Sequence, residues 1–341
     1  MRYPYKLKLV LPLLGVLMWL TGTSVGAQES GGSPSWTSVT VGVANLDQAL
    51  DFWVGTLGFS QLAKADGEDP ELATLWRILP EDIQHQALLG MPGSQPGSGQ
   101  GQLHLVQFRE PGPAVREGAR VTDSGPQSLV VYARDLAAQV KQMQEDGFTF
   151  FSPEPVETSL ANGIRLSEIR LGIHDEVSLL LRELHGAEMS FNPRGFSGII
   201  GLVNVVEFAQ AERDFYQEIL GLELLAERSI EGTELEQVMG LATGAVLETS
   251  SFGNTTDSLG QVELNDYRFV TPGNNLYPVA VPTQLGILHV SYAVTELDAL
   301  KQKLHAAGLS FNDREYRETP YGKGRFIRFR TPAGMNLEAF E

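Results

Sequence analysis

Four short runs rich in β-branched residues punctuate the chain: Val39-Thr40-Val41-Gly42-Val43, Leu129-Val130-Val131-Tyr132, Leu202-Val203-Asn204-Val205-Val206 and His289-Val290-Ser291-Tyr292-Ala293-Val294. A branched Cβ suits an extended, pleated backbone, so each run predicts a strand. Behind each comes an apolar stripe at helical spacing. The first stripe is Leu46, Ala49, Leu50, Trp53 and Leu57, and the second Leu136, Val140 and Met143; the third is Ala211, Phe215, Ile219 and Leu222, and the fourth Leu297, Leu300, Leu304 and Ala307. Asn45 is placed to cap the first helix and Gly58 to end it, while Thr295 with Asp298 reads as a capping box for the fourth, ended by Gly308. The third stripe has no convincing cap. Two or three strand-like runs follow each helix before the next unit. Pro92 to Gly99 and Thr271 to Asn275 read as loops. The pattern predicts an α+β protein built from four βαβββ units.

The units also repeat in pairs. Phe52-Trp53-x-x-x-Leu57-Gly58-Phe59 returns as Phe215-Tyr216-x-x-x-Leu220-Gly221-Leu222, 163 positions later. Leu103 to Phe108 returns as Val262 to Tyr267 at 159, Asp135 to Phe150 as Glu296 to Phe311 at 161, and Ile169-Arg170-Leu171 as Ile327-Arg328-Phe329 at 158. Near-constant offsets mark a duplication of about 160 residues. The expected domains are 36–185 and 196–341, joined by the polar, turn-rich linker 186–195.

Residues 1–27 read as an address. Arg2, Lys6 and Lys8 precede an uncharged stretch from Leu9 to Leu20, and Val25-Gly26-Ala27 supplies a small-residue cleavage site. That order matches a secretory signal peptide and predicts a periplasmic or secreted protein. No later run is long and apolar enough to span a bilayer. The formal charge of −17 argues against a general binder of nucleic acid or anionic membrane. There are no cysteines, which excludes disulfides, thiolate nucleophiles, Cys-based zinc sites and iron–sulfur clusters.

The segments Asn45 to Trp53 with Leu57-Gly58-Phe59, and Thr331-Pro332-Ala333-Gly334-Met335-Asn336-Leu337-Glu338, resemble the vicinal oxygen chelate superfamily. That superfamily includes glyoxalase I, extradiol dioxygenases, epimerases and the fosfomycin and bleomycin resistance proteins. The resemblance covers nearly all of 36–341. It implies two glyoxalase-like domains, each with curved mixed sheets around a cavity, and leaves open pairing within one chain or across a homodimer. In the family, metal ligands come from the first and last strands of each unit. Carried over, the first-strand positions are Ser38, Ser128, Gly201 and His289, and the last-strand positions His104, Leu180, Glu263 and Glu338.

The resemblance thus leaves the N-terminal half without a ligand set, with His104 its one ligand-type side chain. In the C-terminal half Glu263, His289 and Glu338 would hold one divalent ion, such as Mn, Fe, Ni, Zn or Mg, and the Gly201 position would stay open for water or substrate. Strand alternation turns Glu263 away from Val262 and Leu264, and Glu338 away from Leu337 and Ala339, as a shared cavity requires. Tyr321 could donate a proton, Arg328 could orient an anion, and Asn336 shares the Glu338 face. Two glutamates with one histidine look like the glyoxalase and epimerase branch. The expectation is therefore an exported metal-dependent lyase or isomerase acting on a small vicinal-oxygen substrate, with Glu263 or Glu338 moving a proton. An extradiol-type dioxygenase and a non-catalytic small-molecule binding or resistance protein are the alternatives.

Overall fold

The protein is described by a computed structural model, over residues 34–96, 101–159, 165–187, 189–232, 241, 243–254 and 259–341. The leader 1–27 and part of the 92–99 loop lie outside the described residues. Among those described, no helix is long and apolar enough to cross a membrane.

All four predicted strand–helix pairs form. The first unit holds β1 (Ser35–Val43), α1 (Leu46–Leu50), β2 (Ser60–Asp66), α2 (Pro70–Trp76), β3 (Ile83–Gly90) and β4 (Gln102–Phe108). The second holds β5 (Gly125–Ala133), α3 (Leu136–Glu145), β6 (Val156–Ser159), β7 (Arg165–Gly172) and β8 (Ser178–Leu184). The third holds β9 (Phe196–Val205), α4 (Ala209–Asp214), β10 (Glu223–Glu231), β11 (Val246–Gly253) and β12 (Gln261–Arg268). The fourth holds β13 (Gly286–Ala293), α5 (Leu297–Ala306), β14 (Phe311–Thr319), β15 (Gly322–Arg330) and β16 (Asn336–Phe340).

Asn45 caps α1 by accepting from the Gln48 N–H at 3.0 Å. Helices α1 and α4 each run on into a π turn, Asp51–Thr56 and Phe215–Ile219. Both then stop at a glycine with φ near +76°, Gly58 and Gly221, a conformation that a Cβ disfavours. The capping box expected at α5 does not form. Glu296 is the cap residue without a side-chain bond, and Asp298 turns outward to Lys301 and Arg325. Helix α2 was not foreseen; Asp69 caps it at Leu72 N–H, Pro70 opens it and Arg77, at φ 61°, closes it.

The units pair differently from the sequential domains expected. One eight-stranded sheet runs β14-β15-β16-β13-β1-β4-β3-β2, the other β10-β11-β12-β9-β5-β8-β7-β6. The first unit therefore joins the fourth and the second joins the third, each through an antiparallel seam, β1 with β13 and β5 with β9. Neither 36–185 nor 196–341 coincides with a sheet. Every unit leaves its first strand as an edge that needs a partner, and four units of one pattern do not say which.

Alternation sorts the two faces of each strand. Val39, Val41 and Val43, Leu103 and Leu105, Val262 and Leu264, and Leu337 and Ala339 enter a core that also takes in Trp53, Leu136, Phe215 and Leu304 from the helices. The intervening residues, including His104, Glu263 and Glu338, turn to the concave faces. Each curved sheet thus encloses its own chamber.

Candidate functional site: one sealed chamber and one arginine-lined cavity

The first sheet brings Ser38, His104, His289 and Glu338 into one chamber. Strand register sets Thr40 opposite both His104 and His289, and Ser291 opposite both Ser38 and Glu338. Helix α2 drives Trp76 into this space, into one cluster with Tyr321, Val106, Leu288, Phe326 and Phe340. His104, His289, Tyr321 and Glu338 are wholly buried.

The Glu338 carboxylate is saturated. Its Oε1 accepts from Trp76 Nε1 at 3.0 Å and lies 3.1 Å from Arg328 Nε. Its Oε2 accepts from the Tyr321 hydroxyl at 2.8 Å and from Ser291 Oγ at 3.3 Å, with His289 Nε2 3.6 Å away. Burial pushes the carboxyl up, and the Arg328 cation and these donors pull it back. Burial drives His289 well below its ordinary value, with Arg328 adding to the effect, and lowers His104 to about 3, helped by His289. Burial thus disfavours the charged form of both imidazoles. His104 is held by Thr40 and by Gln86, which continues to Asp69. Both ring nitrogens of His289 lack a hydrogen-bond partner, and its ring packs edge-on against Trp76 at 5.2 Å between centroids.

Glu263 is not there. It faces the concave side of the second sheet, where Arg182 holds it at 2.9 Å and Arg228 at 3.5 Å. The three side chains expected to share one ion are divided between two sheets. A divalent ion does not fit the pair that remains: a guanidinium occupies the cation's place beside Glu338, and the carboxylate's acceptor sites are taken. No group of three His, Asp or Glu side chains that could hold a metal occurs among the described residues. Other expected roles also resolve into packing. Tyr321 is buried on Glu338, Arg328 donates to the Leu75 carbonyl as well as to Glu338, and Asn336 donates to the Ala280 carbonyl while accepting from Arg330. Nor is Gly201 a vacated ligand position, because a Cβ there would lie 2.6 Å from the Gln261 carbonyl oxygen.

The second sheet keeps an open cavity of about 270 Å³. Arg116, Arg170, Arg182 and Arg228 line it with Glu168 and Glu263, alongside apolar surface from Ile169, Leu180, Ile230 and Leu247. Arg182 is the fixed member, bound to Glu168 at 3.0 Å and to Glu263. Burial opposes its charge, but the two carboxylates more than compensate and raise its pKa. Burial likewise works against Glu263, yet Arg182 and Arg228 hold it below the usual carboxylate range. Arg116 donates to the carbonyls of Arg120, Asp123 and Pro126, so it braces the wall.

The profile of the Glyoxalase/Bleomycin resistance protein/Dioxygenase superfamily matches residues 37–160 and 202–339. The chain belongs to this superfamily. Among solved structures it resembles glyoxalase I from Zea mays, at 14% identity over 91% of this chain and 92% of that one, with a TM-score of 0.60. It also resembles a Bacillus subtilis "putative dioxygenase", at 13% identity over 91% and 86% of the chains, with a TM-score of 0.55. Both likenesses concern the fold. No curated protein matches. In this member of the glyoxalase superfamily one chamber is packed and the other open. The sequence pattern pointed to Arg328 as an anion-orienting candidate and to none of the arginines of the open chamber. A trace was present: Glu168 and Arg170 stand at alternating positions of β7, and Arg182 follows the apolar run Leu179–Leu181, where a buried sheet face offers charge no reason to persist without a partner.

Proposed function

We propose that this protein is a small-molecule-binding member of the glyoxalase superfamily whose working site is the cavity of the second sheet, and that it needs no divalent ion at the inherited ligand positions. One observation carries the reading. The chamber that retains His289 and Glu338 is filled by Trp76 and Tyr321 with its carboxylate saturated, whereas the other chamber is open and mixes apolar surface with a few convergent polar groups, as ligand sites do. The N-terminal leader supports placing this activity in the periplasm or outside the cell.

Elemental analysis of protein purified without refolding tests it. The expected result is no stoichiometric divalent ion and an unchanged melting temperature in chelator. A bound ion that His289→Ala removes would restore the lyase or isomerase reading, or the dioxygenase.

A further inference from the structure

The second cavity carries more positive than negative charge inside a protein of net charge −17. Three guanidiniums on its strands, Arg170, Arg182 and Arg228, face two carboxylates, Glu168 and Glu263. Arg182 uses both carboxylates. Arg228 has only a 3.5 Å contact with Glu263, and its Nη1 is buried without a partner. The Arg170 side chain makes no hydrogen bond or ion pair among the described residues, although it lies near enough to help hold Glu263 down. A buried guanidinium nitrogen with nothing to donate to is costly unless a ligand supplies the acceptor.

We infer that the cavity takes a small amphipathic organic acid whose anionic head is held by Arg228 and Arg170 and whose apolar body lies along Leu180, Ile230 and Leu247. This rests on the binding reading above and adds the ligand's charge. Guanidinium forks suit the planar oxygens of a carboxylate and the tetrahedral oxygens of a phosphate ester alike. Glu263 keeps Arg182 occupied, so Arg182 positions the wall and is not the free donor.

Calorimetric titration of the full chain with octanoate, octyl phosphate and 1-octanol separates the possibilities. Either anion is expected to bind at least tenfold more tightly than the alcohol, and the better of the two identifies the head group. Arg228→Met and Arg170→Met should each weaken the anion at least tenfold and leave the alcohol within about twofold. Arg170→Met serves as the second variant because that side chain holds up no partner. Equal binding of acid and alcohol, or unaltered anion affinity in both variants, overturns the anion inference and leaves the binding reading standing. No binding of any of the three probes overturns both.

Discussion

The two sheets are near copies in strand order, yet one chamber is solid and the other hollow. Fourteen buried residues pack the concave side of the first, including Leu72, Leu75 and Trp76 of α2. A cluster of five, Val130, Tyr132, Leu180, Ile200 and Val203, covers part of the second. In the first chamber one seven-residue helix between β2 and β3 supplies part of that packing. Its last residue, Trp76, supplies apolar volume and one hydrogen bond to Glu338, so this chamber is a packed core. The comparison teaches that ligand-type residues can serve wholly as hydrogen-bond acceptors within a packed core. Glu338 persists as the acceptor for Trp76, Tyr321, Ser291 and Arg328, and removing it would leave those donors unpaired.

If that account is right, Trp76→Ala should have the largest effect of any single change discussed. It empties the first chamber and strips a donor from a buried carboxylate, a loss of about 4 to 5 kcal/mol in denaturant unfolding. A loss below about 1 kcal/mol would mean the plug is not packed, and the contrast between chambers would collapse. In the hollow chamber Arg182→Met should cost about 3 to 4 kcal/mol, because it leaves Glu168 and Glu263 partly buried with weak or no partners. The double variant with Glu263→Gln should recover part of that loss.

The smallest effect concerns the seam between the sheets. Glu212 of α4 accepts from the Ala333 backbone N–H in the turn before β16. Burial raises its carboxyl to about 7, against an ordinary 4.5, despite the bonds from Ala333 and Thr331. The folded chain therefore holds a proton that the unfolded chain releases, and this stabilisation is complete below about pH 4.5 and lost as pH rises through about 7. Relative to Glu212→Gln, the native chain should lose up to about 3 kcal/mol across that window. Parallel stability–pH curves for the two would refute the assignment.

Much of this architecture was legible in the residues. The four strand–helix pairs follow from β-branched runs and apolar stripes, and Gly58 and Gly308 announced helix ends that the backbone requires. Period-two alternation correctly turned Glu263 and Glu338 towards concave surfaces. It could not say that these are different surfaces, because partner choice among four similar edge strands depends on chain-level connectivity that no local pattern records. For the same reason His104 was set apart from His289, although β1 places both opposite Thr40. Helix α2 was overlooked because it is short and its apolar residues serve a chamber instead of the main core. The Thr295 and Asp298 capping box failed because Lys301 and Arg325 offer Asp298 charged partners.

The seam between β1 and β13 joins residues some 250 positions apart, Ser35 opposite Ala293 and Thr40 opposite His289. A ribosome delivers the N-terminal quarter first and its mate last. The second and third units can zip together while the first waits with a bare, hydrogen-bond-hungry flank exposed to every other nascent chain. Folding speed and aggregation are thereby tied to how quickly the final fifty or so residues arrive.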